Sequence, residues 1–149
     1  MANPIYSVVL ATWHADHEAL SKIRLTVFVH EQGVPPELEL DEMDADTSLV
    51  VHAIARDGSG AAIGTGRLLL EQPMPRIGRM AVLRSWRGRG VGKAILEFLS
   101  AYAKDHGYQM ARLYAQTHAA SFYDKQGFVP HGAEFVEADI PHLEMRRKL

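Results

Sequence analysis

Residues 85–94 read SWRGRGVGKA. Gly88, Gly90 and Gly92 alternate there with Arg87, Arg89 and Lys93, Arg84 stands just before them, and no acidic residue follows until Glu97. A helical pattern begins at Val91. Glycine loses the most backbone freedom on entering a helix, and cations at a helix N-terminus oppose the positive end of its dipole. An anion lying between them resolves both conflicts. The first amides of a helix lack intrahelical partners and point off its N-terminus, and glycine lets a ligand approach them closely. A polyanion such as a pyrophosphate fits the turn. A Walker A loop does not, since aligning on Gly92-Lys93 puts Arg87 at its first glycine and Ala94 at its hydroxyl. A dinucleotide fingerprint from Gly88 fails because residue 93 is lysine.

The elements that must position this turn are legible as patterns. IYSVVLAT (5–12) reads as a strand. Asp16 is placed to cap a helix running to about His30, with Leu20, Ile23 and Val27 on one face. EQGVPPELELDEMDAD (31–46) reads as an acidic loop. Strands follow at 48–56, 62–70 and 76–83, joined by DGSG and EQPMP turns. Val91, Ala94, Ile95, Phe98, Leu99 and Tyr102 then repeat with helical spacing, and Gly107 stands at the C-terminal cap. MARLYAQ (110–116) is a fifth strand, Thr117 is placed to cap a short helix ended by Gly127, and two closing strands complete the chain. Strands two to four must be antiparallel, and the crossover helix favours a parallel fourth–fifth pair. The expected class is α/β (α+β): a mixed, mostly antiparallel sheet of about seven strands with flanking helices, forming a single domain over 1–149.

Totals narrow the function. The 149 residues carry a net charge of −2, so the basic turn is local and nucleic-acid binding is not expected. The absence of cysteine removes disulfides and thiolate chemistry. No apolar run reaches the ~18 residues of a membrane span, and the N-terminus does not read as a signal peptide. The expected location is the cytoplasm, without membrane attachment. The eight histidines show no ligand spacing, so no metal is expected. Trp13 and Trp86 read as packing residues, and Tyr102, Tyr108 and Tyr114 as core-facing.

Arg87, Gly90 and Gly92 form R-x-x-G-x-G between a strand and an amphipathic helix. With ASFYDKQGF at 120–128 and the element order, nearly the whole chain resembles the GNAT superfamily of acyl-CoA-dependent N-acyltransferases, in a small ElaA-like branch. The resemblance implies acetyl-CoA as acyl donor and an amine acceptor, on a small molecule or a protein. By the same resemblance, Arg87, Gly88, Arg89, Gly90, Val91, Gly92 and Lys93 hold the pyrophosphate and ribose phosphate. Met80, Ala81 and Val82 run beside the pantetheine arm, with the Val82 amide polarising the thioester carbonyl. Phe122, Tyr123 and Lys125 complete the cofactor side, and Tyr123 is the candidate acid for the leaving thiolate. A homodimer through the closing strands is a further family expectation.

The acceptor side is less defined. Residues 37–46 carry six carboxylates, which read either as a cation-attracting rim or as a solvated loop. Arg24, Phe28, Glu39, Asp41 and Asp44, with Arg67, resemble the N-terminal signature of acyl-homoserine lactone synthases. An Arg24 paired with the acidic loop would hold that loop in place. Arg24, Phe28, Glu31, Asp41 and Gln116 are the acceptor-side candidates, and Glu31, Asp41 and His118 the candidates for a general base. The alternatives to an acetyltransferase are a homoserine-lactone-type synthase and a non-catalytic acyl-CoA-binding module.

Overall fold

The computed structural model describes residues 5–39 and 41–149. Its elements in chain order are β1 (Tyr6–Ala11), α1 (Trp13–Arg24), α2 (Pro36–Glu39), β2 (Val50–Asp57), β3 (Ala62–Leu69), β4 (Arg76–Val82), α3 (Val91–Asp105), β5 (Met110–Gln116), α4 (Ala120–Lys125), β6 (Val129–Pro130), β7 (Phe135–Glu137) and β8 (Ile140–Lys148). Among the described residues, eight strands form one sheet in the order β1-β2-β3-β4-β5-β8-β6, with β7 also on β8. All pairs are antiparallel except β4–β5.

Alternation along the strands sorts side chains to two faces. On one face Val51, Ala53, Ala55, Ile63, Ile77, Leu113 and Met145 pack with Val91, Ile95 and Leu99 of α3. Leu96 and Ala103 are as deeply buried, while Ala94, Phe98 and Tyr102 are only half-buried, so the buried stripe of α3 is rotated from the expected one. Gly66 lets α3 lie close, because a Cβ there would come within 2.8 Å of Ile95. Opposite, Ile54 of β2 packs with Leu20 of α1.

Several expected details are corrected. Thr12, not Asp16, caps α1: its hydroxyl accepts from the Ala15 amide at 3.2 Å, while Asp16 accepts from the Thr12 amide at 3.0 Å. Beyond Arg24 the helix rewinds as a π-helix over Leu25–Glu31, which re-aims the side chains that follow. The 31–46 segment contains α2 and a 3-10 turn at Glu42–Ala45. Thr117 opens a 3-10 turn and makes no side-chain cap. The closing segment holds three strands instead of two.

The acidic segment is fastened by a buried ion cluster. Arg24 is 1% exposed and donates to Glu39, to its carbonyl and to both oxygens of Asp44. Arg67, 3% exposed, donates to both oxygens of Asp41 and to Asp44, at 2.8–2.9 Å. Burial alone would raise the carboxyl pKa values, but hydrogen bonds and charge from Arg67 hold Asp41 below its ordinary value, and those from Arg24 and Arg67 do so for Asp44. His52 lies beneath, with Nε2 2.9 Å from the Asp44 carbonyl, and burial pushes its pKa down.

Two outcomes follow from the cluster. Arg24→Ala removes the nearest partner of buried Glu39 and one of the two that hold Asp44, and should cost about 3–5 kcal/mol in urea unfolding; a loss under about 1 kcal/mol would mean the cluster behaves like surface pairs. Because His52 binds its proton less well folded than unfolded, the unfolded chain takes up more protons below about pH 6.5. The thermal midpoint should therefore fall between pH 7.5 and 5.5, and fall less in His52→Gln; equal falls would exclude His52 as the cause.

Candidate functional site

Parallel pairing of β4 with β5 is confined to Arg76↔Arg112 and Ile77↔Leu113. Beyond these pairs β4 continues on β3 and β5 on β8, so each keeps one unpaired edge facing the other across a cleft of about 550 Å³. Its walls include Gly78–Val82 on one side and Leu113, Tyr114, Gln116 and Tyr123 on the other.

A bulge in β4 sets which groups face the cleft. Ala81 pairs Thr65 and Gly78 pairs Arg67, leaving Arg79 and Met80 opposite Gly66. Arg79 adopts φ +50, a strained value for a non-glycine residue. Its guanidinium reaches back to the carbonyls of Glu39 and Leu38, both at 3.3 Å, and lies 3.4 Å from the Glu39 carboxylate. The ion cluster thus grips the bulge. The extra residue reverses the alternation: Ile77 packs with α3 before the bulge, and Met80 and Val82 do so after it. The Leu83 amide donates to the Ile63 carbonyl at 2.9 Å, so Val82, one residue earlier, turns its backbone groups away from β3 and towards the cleft. Its carbonyl there accepts from Arg87 Nε at 3.0 Å.

The cleft leads to the glycine-arginine turn. Gly88 and Gly90 take φ +75 and +86, a left-handed region open to glycine at little cost. The first α3 hydrogen bond runs from Ala94 to the Gly90 carbonyl, at 3.0 Å. The amides of Val91, Gly92 and Lys93 therefore have no partner within α3. No acidic residue occupies the first turn of α3, and a Cβ built at Gly88 would meet nothing within 4 Å. Arg89 stacks over Trp86 at 5.0 Å, and Lys93 is exposed. Open amides, flanking cations and an unpaired strand edge leading to them fit a pyrophosphate-bearing amide chain such as coenzyme A.

The remaining candidates divide. Tyr123 lines the cleft, with its ring set at steep angles to Phe122 and Phe128, at 5.0 and 6.1 Å. Burial pushes its pKa up to about 12. Phe122 packs against the start of α3, its Cζ 3.5 Å from a Cβ built at Gly92. Phe28 and Gln116 line the cleft, and Gln116 donates to Gln32 at 2.8 Å and meets His118 Nε2 at 2.6 Å. Arg24 and Asp41 do not line the cleft: both belong to the ion cluster, and Glu39, which does reach the wall, is held by Arg24 and Arg79. The expected cation-attracting rim is therefore largely neutralised. Glu31 is bound to Arg87 at 2.7 Å, and Lys125 is exposed at the end of α4.

Other cleft residues had no sequence signal. Arg76, Tyr114 and His142 alternate with core-facing Ile77, Leu113 and Met145, so they share the face opposite α3. Tyr114, expected in the core, lies 5.3 Å edge-on to Phe135, which stacks on His142 at 5.7 Å. Only the pairing of 110–116 with a neighbouring strand on both sides could have revealed its outward register. Among the described residues no group of three or more His, Asp or Glu side chains is arranged to hold a metal, and no helix is long and apolar enough to cross a membrane.

A family model described as an acetyltransferase (GNAT) domain matches residues 15–149. The uncharacterised N-acetyltransferase YjcF of Bacillus subtilis is 39% identical over 126 residues, 84% of this chain and 87% of its own. Escherichia coli ElaA superposes with a TM-score of 0.84 at 25% identity, over 96% of this chain and 99% of its own. A PaiA N-acetyltransferase from Thermoplasma acidophilum, solved with coenzyme A, superposes with a TM-score of 0.75 at 18% identity, over all of both chains.

The turn can be tested by Gly92→Glu. A Cβ at that position makes only ordinary contacts, 3.5 Å to Phe122 and 3.8 Å to Val82, while the carboxylate would confront an anion. Acetyl-CoA at about 100 times its Kd should stabilise the wild type by about 2.7 kcal/mol, a clear rise in thermal midpoint. The variant should fold and lose that rise; an equal rise in both would place the anion elsewhere.

Proposed function

Since this chain belongs to the GNAT acetyltransferase family, we propose that it moves the acetyl group of acetyl-CoA directly from the thioester to a primary amine of a small molecule or protein. The observation that carries this reading is the free β4 edge at Val82, which leads to the partnerless amides at the start of α3. Coenzyme A seen with the Thermoplasma protein is consistent with that route. Met80, Ala81 and Val82 would lie along the pantetheine amides, and residues 88–93 would receive the pyrophosphate. Arg87 now bridges Glu31 and the Val82 carbonyl, so it would exchange this carbonyl for the ligand's own groups.

The acyl donor supplies an activated carbonyl carbon. The amine lone pair forms the new C–N bond, the Val82 amide donates to the developing oxyanion, and the C–S bond breaks with its electrons passing to sulfur. Tyr123 remains protonated throughout the physiological range because burial holds its pKa at about 12. Burial thus sets the phenol above the ordinary value of a thiol, and full transfer of its proton to the thiolate is unfavourable. Tyr123 therefore acts as a hydrogen-bond donor to the sulfur as charge builds, and the thiolate takes the proton that the amine releases. Among the base candidates, Glu31 and Asp41 are paired with Arg87 and Arg67. That leaves His118 as the one lining the cleft.

Tyr123→Phe should lower kcat about 10- to 100-fold, the worth of one hydrogen bond to a developing charge, with acetyl-CoA affinity unchanged. Steady-state kinetics with calorimetric titration of acetyl-CoA would check this. Wild-type turnover in the variant would remove Tyr123 from the chemistry.

A further inference from the structure

On the face opposite α3, Arg76, Arg112 and Arg146 stand in one cross-strand row over β4, β5 and β8. Arg146 has its own carboxylate, Glu144, at 2.6 Å. Arg76 and Arg112 share a single one: Glu71 Oε1 lies 3.0 Å from Arg76 Nε and 3.6 Å from Arg112 Nη2. Two guanidinium groups thus meet one carboxylate, and Arg112 Nε is buried without a partner. Glu71 accepts a hydrogen bond from the Nε of Arg76 alone, and among the described residues the two Nη groups of Arg76 donate none. Arg76 lines the cleft, with its guanidinium held 4.7 Å over the Tyr114 ring.

Glu39, Asp41 and Asp44 of the acidic loop are already matched by Arg24, Arg67 and Arg79, and Glu137, which also lines the cleft, makes no ion pair with Arg76. A flat, stacked guanidinium with two free amino groups is suited to a planar anion held by two parallel hydrogen bonds. We infer that Arg76 is a specificity residue that binds a carboxylate on the acceptor, so that the acceptor is an amino acid acetylated at an amine remote from that carboxylate. Arg76 and Val82 lie six positions apart along β4, about 20 Å of strand at most at 3.3 Å per residue, less the bulge. Across such a separation an α-amine, held next to its carboxylate, reaches less far from Arg76 towards a thioester at Val82 than an amine further along the chain. An ω-amine several methylenes away, as in 5-aminovalerate or the side chain of lysine, has the needed form.

This inference rests on the acetyltransferase reading, and the test separates the two. The probes are 5-aminovalerate, lysine and pentylamine, with coenzyme A release as the readout on wild type, Arg76→Gln and Arg76→Lys. The expected ratio of kcat/KM for 5-aminovalerate over pentylamine is at least about 30 in wild type, near one in Arg76→Gln and intermediate in Arg76→Lys. A mere loss of packing under Tyr114 would lower both rates and leave the ratio unchanged. A wild-type ratio near one, or a ratio unaltered by Arg76→Gln, overturns the proposal. Calorimetric titration of 5-aminovalerate and pentylamine into the coenzyme A-saturated protein supplies a readout independent of turnover. Should no amine be acetylated, the acetyltransferase reading fails, while an Arg76-dependent preference in binding would still uphold the carboxylate site and equal binding would overturn it.

Discussion

The early end of β4–β5 pairing is the constraint from which the rest of the molecule follows. Two strands that begin side by side at Arg76 and Arg112 separate after one further pair, each still anchored on its outer side by β3 or β8. Unpaired backbone groups inside a protein are costly unless something satisfies them. Here they line a cleft that extends from Arg87, just before the turn into α3, to Arg76, Tyr114 and His142. A ligand that carries amides along its length can pair with such an edge as a missing strand would.

Holding that opening requires support on the side away from α3. The left-handed Arg79 and the bulge around it would relax if nothing retained the side chain. Retention comes from the ion cluster, in which three arginines face three carboxylates across α1, the acidic segment, β3 and β4. Hydrophobic side chains of similar volume could hold the segment with no desolvation penalty. They would not supply the directed hydrogen bonds that link Arg79 to the Glu39 and Leu38 carbonyls. Three of the six carboxylates of the acidic segment are therefore spent internally, and the cleft wall presents Arg76 together with the carboxylate of Glu137.

Much of the architecture is legible in periodicity. The strand at 110–116, the hairpin strands and the α3 helix stand out because each has a strong local pattern and glycine or polar punctuation. The glycine-arginine turn is legible as a candidate anion site because three glycines and four cations at a helix start contradict local preference, and contradictions of that kind point to ligand sites. Arg24 with the acidic loop is also foreseeable as a pairing. What sequence conceals are features set by tertiary register: the bulge at an ordinary-looking Arg79, the π-wound turn that carries Phe28 and Gln32 to the cleft, and the outward face of Tyr114. Arg76 carries no local signal at all, since its role depends on which carboxylates its neighbours have already claimed.

Amide hydrogen exchange, read residue by residue with and without acetyl-CoA, tests the account most directly. Ligand binding along the free edge predicts new protection at the Met80 and Val82 amides together with Val91, Gly92 and Lys93, and little change at Ala81 and Leu83, which already face β3. Protection confined to other segments, or none at saturating acetyl-CoA, would contradict the claim that the separated strands and the open helix start form one acyl-CoA site.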